Sequence, residues 1–193
     1  MQLQMPLLTT PRLLIRRFER GDLEAVHLIL DLEADEGLTL EERAAWLEWS
    51  VRNYDALERL YQPPCGDRAV VLRASGELIG AVGLVPSYNF FAQIPGLGPD
   101  PLFQTPARFA QAEVGLFWTI ARAQRNQGYA SEAARALIDF AFTEISLARI
   151  VATTTYDNLA SQTVMRRLGM RVERNPFDGP PYLQVVGMLD NPG

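Results

Sequence analysis

The run Arg125-Asn-Gln-Gly-Tyr-Ala130 is the part of this chain best suited to holding a charged ligand. It lies between a nearly continuous apolar segment, Glu113-Val-Gly-Leu-Phe-Trp-Thr-Ile120, and a stretch whose apolar residues recur with helical spacing. Amides that enter a helix have no partners inside it, and the positive end of the helix dipole sits at the same place, so such a turn can bind a diphosphate. Gly128 lets the backbone approach that ligand, because a Cβ there would collide with phosphate oxygens or demand strained torsions. Arg125 adds positive charge, with Arg122 as a second candidate. A dinucleotide-binding turn would need G-x-G-x-x-G, which these residues do not supply. Two other reactive types read as non-catalytic, Cys65 as incidental and His27 as a structural or surface residue. Cys65, in Pro63-Pro-Cys-Gly66, has no basic neighbour in sequence to activate its thiol, and His27 falls in a helical segment with Val26 and Leu30.

The elements around this turn follow from local chemistry. Arg12 to Phe18 alternates as a strand after Thr9-Thr-Pro11, and Asp22 is expected to cap a helix to about Asp31. Thr39-Leu-Glu-Glu42 has capping-box spacing for a helix to about Tyr61, with Trp46, Trp49, Leu57 and Leu60 as its apolar stripe. Ala69–Leu72 and Leu78–Val85 flank the turn Ala74-Ser-Gly-Glu77 and should pair antiparallel. The run from Pro86 to about Gln111 is rich in proline, glycine and aromatics, and its length suits a lid or binding loop. After the strand from Glu113 to Ile120, a helix is expected from Gly128 to Ile145, buried through Ala130, Ala134, Leu137, Ile138, Ala141 and Ile145. A strand from Arg149 to Thr155, a helix capped at Asp157-Asn158 and ending at Gly169, and two strands at Met170–Arg174 and Tyr182–Leu189 complete the chain. The expectation is one α/β domain over residues 1–193, with a central sheet and helices on both faces.

Composition narrows the chemistry. The 193 residues are 48% hydrophobic and 21% charged, ordinary for a globular protein. All 18 basic residues are arginine, so a Walker-type or Schiff-base lysine is absent. A net charge of -5 argues against generic nucleic-acid binding. One histidine and one cysteine leave no metal-ligand cluster and no internal disulfide. Without a membrane-length apolar run or a secretory leader, the expected location is cytoplasmic.

In its motifs the chain resembles the GNAT superfamily, whose acetyl-coenzyme A motif is Q/R-x-x-G-x-G/A on a strand-to-helix turn. Gln127-Gly-Tyr-Ala-Ser-Glu-Ala-Ala134 is similar to the RimJ/RimL-like branch. Thr10-Pro-Arg-Leu-Leu-Ile-Arg16, Glu113-Val-Gly-Leu-Phe-Trp118, Asp157-Asn-Leu-Ala-Ser161 and Arg167-Leu-Gly-Met170 agree in order and spacing. The resemblance implies a mixed, mostly antiparallel sheet of about seven strands, splayed between the fourth (Glu113 to Ile120) and the fifth (Ile150 to Thr155). Acetyl-CoA is then the cosubstrate, with no metal. Main-chain groups of Trp118, Thr119 and Ile120 would pair with pantetheine. The amides of Arg125, Asn126, Gln127, Gly128, Tyr129 and Ala130 would meet the diphosphate beside the Ser131 hydroxyl, and Asn158 would hydrogen-bond the cofactor chain.

The implied reaction is attack of a neutral amine on the thioester carbonyl, through an oxyanion held by a main-chain N–H of the fourth strand. Glu113 is the candidate general base, acting through water. Many superfamily members carry a tyrosine as general acid seven positions after the asparagine, but here that position is Met165. Ser161 is the first substitute and Tyr156 the second. The implied acceptor is a primary amine, either a protein N-terminus or a small molecule. Two rival readings are a non-catalytic acyl-CoA-binding regulatory module and a homodimeric interaction protein whose aromatic segment forms the interface.

Overall fold

The computed structural model describes residues 4–34, 36–97 and 109–193. Its strands run in the order β1-β2-β3-β4-β5-β6-β8-β7. They are β1 Leu8–Thr9, β2 Leu13–Arg16, β3 Gly66–Leu72, β4 Leu78–Asn89, β5 Gln111–Ile120, β6 Arg149–Thr154, β7 Arg171–Arg174 and β8 Val185–Asp190. The helices are α1 Leu23–His27, α2 Leu40–Arg59, α3 Tyr129–Thr143 and α4 Leu159–Arg167. Residues Met1–Val85 with Phe117–Ser146 form one compact unit, and Pro86–Leu116 with Leu147–Gly193 a second. No helix of the described residues is long and apolar enough to cross a membrane.

In the first unit, β1 to β4 pair antiparallel in succession, with Leu8 opposite Ile15, Leu14 opposite Val71 and Ala69 opposite Ala81. Gly76, at φ +74°, closes the β3–β4 hairpin by donating its N–H to Leu72 O. Phe18, Val26, Leu30, Leu47, Ala69, Val71 and Ala81 make one core cluster, with Trp46 and Phe117 packed against it. Burial of this kind, at about 25 cal/mol per Å² of apolar surface, is what holds short helices such as α1 in place. Ala121 N–H donates to Ile79 O, bringing the end of β5 beside β4. Contact there is so close that a Cβ on Gly80 would stand 2.3 Å from Thr119 O. Glycine at 80 therefore sets how near β5 can come.

The second unit is built on β6, which pairs antiparallel with β8 from Arg149 opposite Asp190 to Thr154 opposite Val185; β7 then pairs antiparallel with β8. Between β5 and β6 the ladder is parallel and its register holds the single pair Gly115–Val151. Phe91, Ile94, Leu97, Val151, Leu183, Val186 and Met188 form its core.

Four expectations change. The described residues form eight strands rather than about seven, because the two-residue β1 adds itself to β2. Asp22 does not cap α1: its carboxylate is taken by the Arg16 guanidinium (2.7 and 2.8 Å) and by Glu19 N–H (2.8 Å), and the helix passes into a π-helical turn over Leu28–Glu33. The stripe of α2 is also different. Its buried residues are Arg43, Leu47, Ser50 and Tyr54, while Trp49 is 59% and Leu60 66% exposed. Finally, β4 runs on to Asn89, and Phe91 and Ile94 are fully buried, so part of the aromatic run is strand and core. Tyr88 and Phe109 are exposed, and positions 98–108 of the expected loop lie outside the described residues. The caps at Thr39 and Asn158 form as expected: Thr39 exchanges hydrogen bonds with Glu42, and Asn158 Oδ1 accepts Ser161 N–H at 3.0 Å.

Candidate active site

The β5–α3 turn carries most of the expected ligand-binding residues on one continuous stretch. After Ile120 the chain makes a 3-10 turn at Arg122–Gln124, passes Asn126 at φ +62° and reaches Gly128 at φ +82°, the N-cap of α3. The glycine is required by that left-handed torsion, since a Cβ at 128 would meet only Arg12 Nη2 at an ordinary 3.5 Å. The first helical hydrogen bond runs from Glu132 N–H to Gly128 O at 3.0 Å. Amides from Asn126 to Ser131 therefore have no backbone acceptor among the described residues, which is the donor set a diphosphate needs. Ser131 Oγ is closed to solvent and also without a hydrogen-bond partner among them. Arg125 Nε donates to Ile120 O at 3.0 Å, which anchors the guanidinium and leaves its two Nη groups as further donors.

A clamp with no role assigned from sequence holds this turn. Glu132 accepts from Thr10 Oγ1 (2.6 Å), Arg12 N–H (3.0 Å) and Arg12 Nε (2.6 Å). Arg12 also donates to Gln127 O at 2.9 Å and lies 4.4 Å over the Tyr129 ring. Burial opposes charge on Glu132, yet the Thr10 and Arg12 hydrogen bonds prevail and hold its carboxyl below the usual carboxylate range. Thr10-Pro-Arg12 and Ser131-Glu132 thus belong to one device that fixes the entry angle of α3. The motifs were visible in sequence; their partnership across 120 positions was not.

In the second unit, Tyr156, Asn158 and Ser161 gather at the start of α4. The Asn158 carbonyl oxygen is spent on the helix cap, so its NH₂ is the part left to donate to a cofactor. Ser161 is half-buried. The Tyr156 hydroxyl donates to Asn175 O at 3.1 Å, and the ring lies 5.1 Å from the Arg174 guanidinium carbon. Met165 is fully buried, its sulfur 3.1 Å from where a Cβ on Gly187 would be, so this position belongs to the core. Glu113 forms a bidentate pair with Arg149, Oε1 at 2.6 Å and Oε2 at 3.3 Å, and that pair raises the guanidinium pKa. Neither remaining reactive type supplies a nucleophile: burial pushes the Cys65 thiol up, against a smaller opposing effect of Arg68, and His27 Nδ1 is 2.8 Å from Asp31 Oδ2.

The acetyltransferase (GNAT) domain family matches residues 12–171, from the Arg12 clamp past the α4 cap. The chain belongs to the GNAT acetyltransferase family. It is 31% identical over 170 residues to the uncharacterized N-acetyltransferase YnaD of Bacillus subtilis (strain 168), covering 86% of this chain and 83% of that one. An acetyltransferase structure from Agrobacterium tumefaciens str. C58 superposes with a TM-score of 0.67 at 21% identity, covering 98% and 96% of the two chains. RimL, a ribosomal L7/L12 alpha-N-protein acetyltransferase in complex with coenzyme A, gives 0.61 at 16% identity, covering 95% and 96%. This GNAT enzyme has the family's mixed α/β fold with an open sheet, and acetyl-CoA is the family's acetyl donor. The free amides of the β5–α3 turn and the orphaned Ser131 hydroxyl suit the diphosphate of that donor.

Proposed function

We propose that this GNAT enzyme acetylates a primary amine, of a protein N-terminus or a small molecule, in the manner of the RimJ/RimL-like branch, and that residues 1–193 act as one domain. The observation that carries the reading is the run of unpaired amides from Asn126 to Ser131 behind the left-handed Gly128. In this reading those amides, with Arg125 and Tyr129, hold the diphosphate. Main-chain groups of Trp118, Thr119 and Ile120 hold pantetheine, and the NH₂ of Asn158 donates to the cofactor chain. The amine nitrogen attacks the thioester carbonyl carbon, and the C–S bond breaks with its electron pair passing to sulfur. One proton leaves the nitrogen and another reaches the thiolate. Ser161 is the proposed donor to sulfur and Tyr156, already bonded to Asn175, the second choice. Family membership across both units supports the single domain.

Coenzyme A at about 100 times its dissociation constant should stabilise the protein by about 2.7 kcal/mol. Gly128→Val should largely abolish that shift, because valine does not tolerate φ +82° and the turn must rearrange. Thermal melting with and without coenzyme A reads both effects, and an equal shift in the two proteins would remove the turn from the binding site. Thiol release from acetyl-CoA with an amine panel then separates an enzyme from an acyl-CoA-binding regulatory module, the reading that the buried Met165 favours.

Glu113 is proposed as the base, working through water while Arg149 orients its carboxylate. Glu113→Gln keeps an acceptor for Arg149 but cannot take a proton, so kcat should fall by about 10²-fold with coenzyme A binding unchanged. Near-normal turnover across the pH range would leave Glu113 with the ion pair alone.

A further inference from the structure

Asp67, on β3, has a carboxylate that the fold leaves unanswered. Oδ1 is closed to solvent and has no hydrogen-bond partner among the described residues. The residue as a whole stays half-buried, so the group is within reach of the surface. Space for the carboxylate comes from Gly83, directly opposite on β4: a Cβ there would stand 2.1 Å from Oδ1.

Neither nearby arginine bonds the Asp67 carboxylate. Arg68, 2% exposed, donates Nη1 to the backbone oxygen of Asp67 and sits 4.1 Å over the Tyr54 ring, while its Nε is also orphaned. Arg43 donates to Asp31 and to Glu36. Tyr54 OH donates to Asp67 O rather than to its carboxylate. Burial and the negative charge of Glu36 act against ionisation of Asp67, and Arg68 and Arg43 act in the other direction without overcoming them. A buried carboxylate without a charged or hydrogen-bonding partner is costly and is not usually retained for stability.

We infer that Asp67 is the counter-ion for the acceptor, binding the ammonium form in which a primary amine arrives, where its carboxylate lies against Gly83. This rests on the amine-acetyltransferase reading and supplies its specificity: a positively charged acceptor is favoured over a neutral one. Deprotonation and attack follow at the thioester, so Asp67 acts on binding and not on the reacting bond.

The test uses the full chain loaded with coenzyme A and butylammonium as probe, with Asp67→Asn as the near-isosteric variant. Butylammonium should raise the melting temperature of the wild type saturably. In Asp67→Asn its dissociation constant should rise by about 10- to 100-fold, the worth of one charge-assisted hydrogen bond. Where an amine is turned over, KM should rise by a similar factor with kcat little changed. Equal butylammonium binding by the two proteins, or no binding by the wild type, overturns the inference whether or not acetyl transfer occurs. Failure of thiol release with every amine, while butylammonium still binds through Asp67, would instead overturn the acetyltransferase reading alone.

Discussion

Arg43→Met is expected to lower the stability of the protein by about 3–5 kcal/mol at neutral pH, the cost of leaving one partner of a buried ion pair alone. Arg43 is 1% exposed, and its Nε and Nη2 reach the Asp31 carboxylate at 2.8 and 2.6 Å, with Glu36 at 2.8 Å from Nη2. Methionine fills much of the same volume over the Trp46 ring, 4.7 Å from the guanidinium carbon, so the loss is electrostatic more than steric. Burial alone would raise the Asp31 carboxyl; hydrogen bonds from Arg43, His27 and Leu38 outweigh it and hold the group below its ordinary value of 3.8. A carboxyl depressed in the folded state contributes stability above its unfolded pKa and loses it as pH falls through the folded one. The deficit of Arg43→Met should therefore be full at neutral pH and shrink in acid, where Asp31 is protonated. Denaturant unfolding at several pH values reads this, and the double variant Asp31→Leu/Arg43→Met should recover much of the loss. A deficit under about 1 kcal/mol at neutral pH would mean that the pair is not desolvated.

Asp67→Asn should do the opposite. Burial, with Glu36 adding to it, pushes the Asp67 carboxyl up from 3.8 to about 6, against the weaker pull of Arg68 and Arg43. A carboxyl raised in the folded state gives its full stabilisation below about pH 4 and loses it as pH rises through about 6, so at pH 8 the ionised group costs roughly 3 kcal/mol. Asparagine cannot ionise. Its melting temperature should exceed that of the wild type by roughly 5–10 °C at about pH 8, and the gap should close towards pH 4. A pH-independent difference between the two proteins would show that Asp67 is not buried as charge. With the loss of ammonium binding, the variant would be more stable and less selective, as expected where a binding group is held at the expense of the fold.

What could be read along the chain is what short-range physics controls. Gln127-Gly-Tyr-Ala announced a tight turn into a helix because a helix start and a left-handed glycine are local events, and Gly128 at φ +82° is that event in three dimensions. Caps at Thr39 and Asn158 and the hairpin around Gly76 span a few residues each, and they form as their spacing predicts. Most of the core face of α3 was legible because it is apolar: Ala134, Leu137, Ile138 and Ala141 are buried as expected, while Ala133 and Phe140 join them and Ala130 is only half-buried.

Tertiary structure alone decided the positions where burial and polarity disagree. Helix α2 turns Arg43, Leu47, Ser50 and Tyr54 inward and leaves Trp49 outside, because Asp31 gives the arginine a partner that hydropathy cannot anticipate. Glu132 gains its partners only when Thr10 and Arg12 close on it from the far end of the chain. Asp67 is unexceptional in sequence and becomes an orphaned carboxylate only when β3 and β4 pair and Gly83 lies opposite. Local spacing determined the turn before α3, since its free donors are backbone groups of consecutive residues. Charge partners were set by which strands and helices meet, because an ion pair depends on distance through space and not along the chain.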